Sequence, residues 1–241
     1  MILKQYKIIT TADGSPSLQH VNLEPMHSTK GAFSESLYIY LDCITQAHQK
    51  IVSPPDELKG VSVGLGLGYN EIISHGYFLK NNIKNFKLLS FESDNLLKTN
   101  FINWLQEQST PLQDVYSQIT QLTAKYFDLK PQQLKKFITK AYSSQFVING
   151  ELPAVNVSAN KYNFIFYDAY SSKSSPTLWE TNFLNSFLKS YTEDKAVFST
   201  YAATSTLNFA LKQNGFARLK RPGFKGKREC TLAFKTGNAL A

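Results

Sequence analysis

The apolar positions of this 241-residue chain follow two spacings in turn, which predicts strands and helices that alternate. Short apolar runs typical of buried strands lie at 58–63, 86–92, 146–148, 162–167 and 195–201. Between them, apolar residues recur every three or four positions, as on one face of a helix, over 69–79 and 178–191. This alternation predicts an α/β fold with a mostly parallel sheet.

An N-terminal hairpin and a helix precede the alternating part. Two short strands, at 6–11 and 18–21, flank a segment rich in turn-forming residues, which predicts the hairpin. The helix that follows is predicted to be capped by Ser34 and to end near residue 50, with a buried stripe of Leu37, Leu41, Ile44 and Ala47. We therefore divide the chain into residues 1–57, which pack on the core, and a main domain of residues 58–241.

The main domain departs from simple alternation in two places. Residues at about 106–142 have a helical pattern and no place in a minimal βαβ repeat, so we interpret them as a helical insertion. Near the C-terminus, the strands at 216–220 and 230–235 are joined by a short basic loop instead of a helical crossover. Because parallel strands need a crossover, this end of the sheet is predicted to be antiparallel.

Positive charge is concentrated in two segments. The chain has 26 lysines and arginines against 18 acids, a net charge of +8. Residues 125–140 hold five lysines and one acid, and residues 212–235 hold eight basic residues and one acid, so half of the basic residues lie in 40 positions. Such clusters indicate a polyanionic partner. The alternative is two solvated faces that maintain solubility.

Cysteine spacing, histidine spacing and hydropathy exclude several classes of protein. Cys43 and Cys230 are far apart and the four histidines do not cluster, so we expect no disulfide framework and no metal site. No apolar run is long enough to span a bilayer, and the first 15 residues lack the apolar region of a signal peptide. We therefore expect a cytoplasmic protein that does not enter membranes. We also expect a monomer.

The candidate ligand site is a glycine-rich turn. The strand that ends at Val63 leads into Gly64, Gly66 and Gly68, and a helix begins at Tyr69. Glycines let the backbone turn sharply and approach a ligand, while the first amides of the helix point at it. Tyr69 stands where the dinucleotide fingerprint G-x-G-x-x-G has its third glycine, which argues against NAD and FAD. A tight turn without a ligand is the alternative at this stage.

Two acids follow later strands. Glu92 ends the strand that begins at residue 86, and Asp168 follows the strand at 162–167. Ligands of open parallel sheets bind beyond the carboxyl ends of the strands, where the carboxylate of Glu92 is placed to accept ribose hydroxyls. Alternatively, Glu92 only favours the dipole of the helix that follows it.

Taken in order, these motifs resemble the methyltransferase part of the MnmC family of tRNA modification enzymes. The resemblance is stronger to the stand-alone form, which lacks the flavin oxidoreductase domain. The residues that carry it are Asp13-Gly14-Ser15, Glu24 through Glu35, Gly64 through Asn70, Phe91-Glu92, Tyr167 through Tyr170, Pro176-x-Leu178-Trp179 and Gly223 through Glu229. They span nearly the whole chain, and the closing Gly-Phe-x-x-Lys-Arg-Glu is far more specific than any single motif.

The resemblance implies a Rossmann-like class I methyltransferase fold with S-adenosylmethionine (SAM) as methyl donor and with no metal or flavin. It implies that the acceptor is the exocyclic amine of 5-aminomethyl(-2-thio)uridine at the wobble position, in the anticodon stem-loop of tRNA, giving 5-methylaminomethyl(-2-thio)uridine. By resemblance, the residues that bind the cofactor are Gly64, Gly66, Gly68, Asn70, Glu92 and Glu151. Asp168 would be catalytic and face the amine, and the substrate-binding residues would be Glu35, Tyr170, Lys225, Lys227 and Arg228.

Two positions depart from the family pattern, and two alternative functions follow. Ser62 stands where many relatives carry an acid near the methionyl end of SAM, and Glu151 stands where aspartate is expected. One alternative is a SAM-dependent methyltransferase of another substrate. The other is an RNA-binding module whose SAM site has decayed.

If the partner is tRNA, the basic loop at 222–228 is the preferred site for its phosphates, ahead of the lysine-bearing helix within 125–140.

Overall fold

The predicted apolar runs form the five parallel strands of the main sheet, which has seven of the nine strands in the described part of the chain. The computed structural model describes residues 5–53, 56–153, 155, 160–226 and 228–237. Its strands are β1 (Tyr6–Thr10), β2 (Pro16–His20), β3 (Leu58–Val63), β4 (Phe86–Phe91), β5 (Phe146–Asn149), β6 (Tyr162–Tyr167), β7 (Thr192–Thr200), β8 (Phe216–Arg221) and β9 (Cys230–Thr236). The β1–β2 hairpin stands apart from the sheet, whose order is β5-β4-β3-β6-β7-β9-β8.

The direction of the strands matches the sequence prediction. The first five strands in this spatial order, β5, β4, β3, β6 and β7, are parallel to one another. Strand β9 is antiparallel to both of its neighbours, β7 and β8. Helices connect β3 to β4, β4 to β5 and β6 to β7, whereas a loop with a single 3-10 turn joins β8 to β9. The predicted α/β fold, with its N-terminal hairpin, mostly parallel sheet and antiparallel C-terminal pair, is confirmed.

The helices cover both faces of the sheet. They are α1 (Ala32–Ser36), α2 (Asp42–Gln46), α3 (Tyr69–Lys80), α4 (Asn95–Leu105), α5 (Gln113–Phe127), α6 (Pro131–Ala141), α7 (Thr181–Tyr191) and α8 (Ser205–Gln213). One apolar core lies between the sheet and α1 to α6, and a second lies between the sheet and α7 and α8. The predicted helical insertion consists of α5 and α6, which pack on α3. Among the described residues, no helix is long and apolar enough to cross a membrane.

Residues 32–51 form one continuous helical run that begins earlier than predicted. The prediction that Ser34 caps it is wrong, because the hairpin turn supplies the caps. The first three amides donate to side chains of that turn: Ala32 to Thr11, Phe33 to Ser15 and Ser34 to Asp13, over 2.9–3.1 Å. The sequence-local prediction failed because the acceptors lie about 20 residues upstream and reach the helix only through the fold.

The buried face of this helical run also differs from the predicted stripe. π-Helical turns at Leu37–Leu41 and Ala47–Ile51 alternate with α1 and α2. Because a π-helical turn holds more residues than an α-helical turn, the buried face is rotated. Leu37 and Leu41 are only half-buried, while the buried apolar positions of the run are Ala32, Ile39, Tyr40, Cys43, Ile44 and Ala47.

Candidate active site

Three adjacent strands end side by side, and the residue after each of them faces one cleft. Val63 pairs in register with Phe91 of β4 and with Tyr167 of β6. The next residues across the sheet are Glu92, Gly64 and Asp168. Backbone hydrogen bonds continue this alignment past the strand ends, since the Asp168 amide donates to the Val63 carbonyl over 2.9 Å. The predicted convergence of the glycine turn and the two acids is therefore a direct result of strand register.

The three glycines of the turn have different physical roles. A Cβ atom on Gly64 would lie 2.4 Å from the Asp168 carbonyl oxygen, and one on Gly68 would lie 2.1 Å from the Phe101 ring. Those two glycines are required for packing. A Cβ on Gly66 would meet only the Met26 sulfur, at 3.6 Å, so here the backbone itself borders the cleft. All three have positive φ, which other residues rarely adopt.

Glu92 is almost fully buried and is held by the glycine turn. One carboxylate oxygen accepts from the Gly66 amide and the other from the Asp94 amide, each over 2.8 Å. Burial raises the pKa of Glu92, and these two amides oppose the effect. The cap of α4 is Asp94, whose carboxylate accepts from the Leu96 amide over 2.7 Å. Glu92 therefore points into the cleft, and Asp94, not Glu92, caps the N-terminus of α4.

Asp168 is oriented by a side chain of the first turn of α3. The Asn70 side-chain amide donates to one Asp168 carboxylate oxygen over 2.9 Å. Asn70 is 3% exposed, and its own amide oxygen has no hydrogen-bond partner among the described residues. Burial and the adjacent Asp168 charge raise the pKa of the Tyr40 hydroxyl, which stays protonated. The site thus contains a fixed carboxylate beside a buried, unsatisfied acceptor.

The walls of the cleft are acidic. The cavity measures about 890 Å³, and the described residues that line it include no lysine or arginine. Its carboxylates are those of Glu24, Glu35, Glu92, Asp94, Glu151 and Asp168. Two of them also join loops, since Glu35 accepts from the Ser28 amide over 2.6 Å and Glu24 from the Ser171 amide over 3.2 Å. Such a set of hydrogen-bond acceptors suits cations and hydroxyl groups, not phosphates.

The structure brings most of the predicted site residues together. Glu35, Glu151 and Tyr170 line the same cleft as Gly64, Gly66, Asn70, Glu92 and Asp168, whereas Gly68 lies behind it. Lys225 and Arg228 are exposed in the loop between β8 and β9. Because β9 begins beside the carboxyl end of β7, this loop lies at the same edge of the sheet as the cleft. Lys227 lies outside the described residues.

The lysine-bearing helix α6 lies toward the opposite edge. The ring of Phe137 in α6 is 5.9 Å from Phe86, the first residue of β4, so α6 packs near the amino ends of the strands. Lys135 is used within the fold, because its ammonium group donates to the carbonyl oxygens of Trp104 and Leu105. Burial lowers its pKa to about 8. The structure therefore separates the two basic clusters that the sequence placed on one partner.

Sequence reasoning missed several residues of the site. Tyr6 donates to Asp94 over 2.6 Å and closes one end of the cleft with the hairpin. Tyr201 donates to the Ala169 carbonyl over 2.8 Å and lines the other end. Neither belongs to a local motif, because the fold alone brings these distant segments to the cleft. Asp94 could have been found, since an aspartate directly before a helical pattern is a common cap.

Comparison with known families identifies the class of protein. A family model described as S-adenosyl-L-methionine-dependent methyltransferase matches residues 113–236, which is 124 of 241 positions and more than half of the chain. The chain belongs to this methyltransferase family. The structure of MnmC2 from Aquifex aeolicus shares the fold of the methyltransferase, with a TM-score of 0.69 and 22% identity, covering 98% of this chain and 72% of that one.

Curated relatives of the methyltransferase are longer proteins. The uncharacterized protein MJ0670 of Methanocaldococcus jannaschii is 25% identical over 98% of this chain and 61% of its own length. The tRNA 5-methylaminomethyl-2-thiouridine biosynthesis bifunctional protein MnmC of Legionella pneumophila (strain Corby) is 23% identical over 86% of this chain and 33% of its length. The methyltransferase thus spans about three fifths and one third of these two relatives.

The residues of the cleft fit the cofactor of this family. The buried Glu92 carboxylate ends β4, where ribose hydroxyls bind in this fold class. The Gly66 backbone is open to the cleft, and the unpaired amide oxygen of Asn70 offers an acceptor to an ammonium group. The acidic walls complement the positive sulfonium of SAM. The methyltransferase therefore has the polar groups that this cofactor requires.

Proposed function

We propose that this methyltransferase acts on tRNA and methylates the exocyclic amine of 5-aminomethyl(-2-thio)uridine at the wobble position. The observation that carries the proposal is the Asp168 carboxylate, held by Asn70 beside the glycine turn in a cleft lined by acids. A positively charged amine is the acceptor that such a cleft favours. The names of the MnmC relatives, which describe tRNA 5-methylaminomethyl-2-thiouridine biosynthesis, support the same acceptor.

The cofactor would lie across the carboxyl ends of β3 and β4. Bound SAM supplies an activated methyl group on its sulfonium. Glu92 would accept the ribose hydroxyls, and Glu151, in the loop after β5, would lie near the adenine. The Gly66 backbone would border the ligand. These groups would hold SAM so that its methyl group is available to an amine bound at Asp168.

Asp168 would prepare the acceptor. A primary amine of this kind is mostly protonated near neutral pH, and only its neutral form has a lone pair to donate. The Asp168 carboxylate would accept the proton and direct the lone pair toward the methyl group. Positioning of the two reactants alone can supply about 7–11 kcal/mol of the activation barrier for methyl transfer. The reaction therefore needs no covalent intermediate with the protein.

The basic loop would hold the tRNA outside the acidic cleft. Lys30 and Lys225 each donate from the ammonium group to the other's carbonyl oxygen, over 2.7 and 3.0 Å. Lys30 follows the cleft wall that ends at Ser28, so this pair joins the loop to the rim of the cleft. Phosphates of the anticodon stem would bind here, while only the modified base enters the cleft.

The test is methyl transfer from labelled SAM to tRNA from cells that lack this activity, followed by nucleoside mass analysis. We expect one methyl group on 5-aminomethyl(-2-thio)uridine with the wild-type protein and none with Asp168→Asn. The control is Asp128→Asn, which changes an acid whose side chain is 99% exposed after α5 and should leave the yield unchanged.

Two results would contradict the proposal. Label on another nucleoside, or on a small molecule and not on tRNA, would mean a different substrate. Absence of heat in a calorimetric titration with SAM would mean that the cofactor site has decayed. The calorimetric result must therefore be obtained first, because it does not depend on the choice of tRNA.

A further inference from the structure

The first turn of α3 is attached to three different elements of the fold. Gly68, the residue before this helix, provides no side-chain cap. The first three residues of the helix instead reach outward. Tyr69 donates to the Pro16 carbonyl of β2 over 2.6 Å, Asn70 donates to Asp168 after β6 over 2.9 Å, and Glu71 accepts from the Ser90 hydroxyl of β4 over 2.7 Å. These three bonds connect the helix that follows the glycine turn to β2, to the loop after β6 and to β4.

Glu71 is the member of this set without an evident role. Its side chain is completely buried and does not line the cleft. Ser62 of β3 and Ser90 of β4 pair in register, and the Ser90 hydroxyl donates to one Glu71 carboxylate oxygen, which lowers the pKa of Glu71. The second Glu71 oxygen and the Ser62 hydroxyl have no hydrogen-bond partner among the described residues. Burial has the larger effect and raises the pKa of Glu71 to about 7, and the charge of Asp168 contributes in the same direction. A buried carboxylate is costly, so its presence here calls for a function.

We propose that Glu71 is a positioning residue of the cofactor site, which ties the first turn of α3 to β4 through Ser90 and so fixes Gly66 and Asn70 in their binding geometry. Asn70 precedes Glu71 directly, and its side chain points to the cleft while that of Glu71 points to the strands. If residue 71 loses its anchor, the amide that holds Asp168 moves with it. The inference concerns SAM binding and holds whatever the acceptor is.

The test measures the affinity for SAM by calorimetry and the unfolding midpoint of the same preparations. We expect Glu71→Ala to weaken SAM binding by about tenfold or more, the usual effect of losing a charged hydrogen-bond partner. Glu71→Gln keeps the shape and the acceptor for Ser90, so it should bind within about threefold of wild type. Its unfolding midpoint at pH 8 should be equal or higher, since the buried charge is gone. A purely structural residue would change binding and stability in the same direction.

A matched pair of serines separates positioning from loss of stability. Ser90→Ala removes the hydroxyl that bridges β4 and α3, and should weaken SAM binding by about threefold or more. Ser74→Ala removes an equally buried hydroxyl whose bond, to the Asn70 carbonyl over 2.6 Å, stays within α3. Ser74→Ala should lower the unfolding midpoint comparably and leave SAM affinity unchanged.

Two results would overturn the proposal. One is that Glu71→Ala folds and binds SAM within twofold of wild type. The other, which decides the question if Glu71→Ala does not fold, is an equal SAM affinity of Ser90→Ala and Ser74→Ala.

Discussion

The acidic cleft and the basic loop lie at the same edge of the sheet, yet they have opposite charge and opposite exposure. Six of the described residues that line the cleft have carboxylate side chains, and Glu92 and Glu35 are almost fully buried. Lys225 and Arg228 of the loop are exposed. Buried charges act strongly and at short range, whereas exposed charges are screened by salt. We infer that the cleft handles the chemistry and the loop handles the docking of a polyanion.

The largest expected effect comes from removing the charge at Asp168. Asp168→Asn should reduce methyl transfer by at least about a hundredfold, the usual contribution of a general base. SAM affinity should stay within about threefold, because the cofactor is held mainly by Glu92 and the glycine turn. Single-turnover rates and calorimetry measure the two quantities. An unchanged rate of methyl transfer in this variant would show that Asp168 is not the general base.

The second prediction concerns the energetic cost of the acidic site. The pKa of Glu71 rises from 4.5 to about 7 on folding, so the folded protein keeps a proton that the unfolded chain releases in this window. The stability present at low pH is therefore lost as the pH rises through 7. Relative to Glu71→Gln, wild type should lose about 2 kcal/mol of unfolding free energy between pH 5 and pH 8. Urea denaturation at both pH values measures this, and a constant difference would contradict it.

The third prediction separates cofactor affinity from chemistry within the cleft. Glu92→Gln keeps one acceptor for the Gly66 or Asp94 amide but loses the charged acceptor for hydroxyl groups. SAM binding should weaken by about tenfold, as expected for a hydrogen bond to a charged group. Calorimetric titration checks it, with Asp128→Asn as the exposed control. Equal affinity of the two variants would exclude Glu92 as the ribose ligand.

The smallest effect at physiological salt is expected from the loop. Replacing Lys225, Lys227 and Arg228 by alanine should weaken tRNA binding several-fold and reduce the slope of log affinity against log salt by about 2. The matched control is Lys136→Ala with Lys140→Ala, two exposed lysines of α6 near the other edge of the sheet. Equal slopes for both variants would mean that the basic loop contributes no more to tRNA binding than the lysines of α6.

Local patterns were sufficient to predict most of the fold and the center of the site. Strands such as Tyr162–Tyr167 are mostly apolar runs, and Gly64, Gly66 and Gly68 supply the positive φ angles of the turn between β3 and α3. Contacts between distant segments could not be predicted in this way. The caps of the helical run 32–51 come from Thr11, Asp13 and Ser15, and the π-helical turns of that run shift its buried face.

The sequence by itself determined the order of strands and helices, the glycine turn and the two acids that follow strands, because each depends on residues adjacent in the chain. Tertiary structure decided which charges meet. Strand register brought Glu92, Gly64 and Asp168 together, and the folding of β8 and β9 brought the basic loop to the cleft while α6 went to the other edge. It also revealed Glu71 between Ser62 and Ser90, because burial and register exist only in the folded chain.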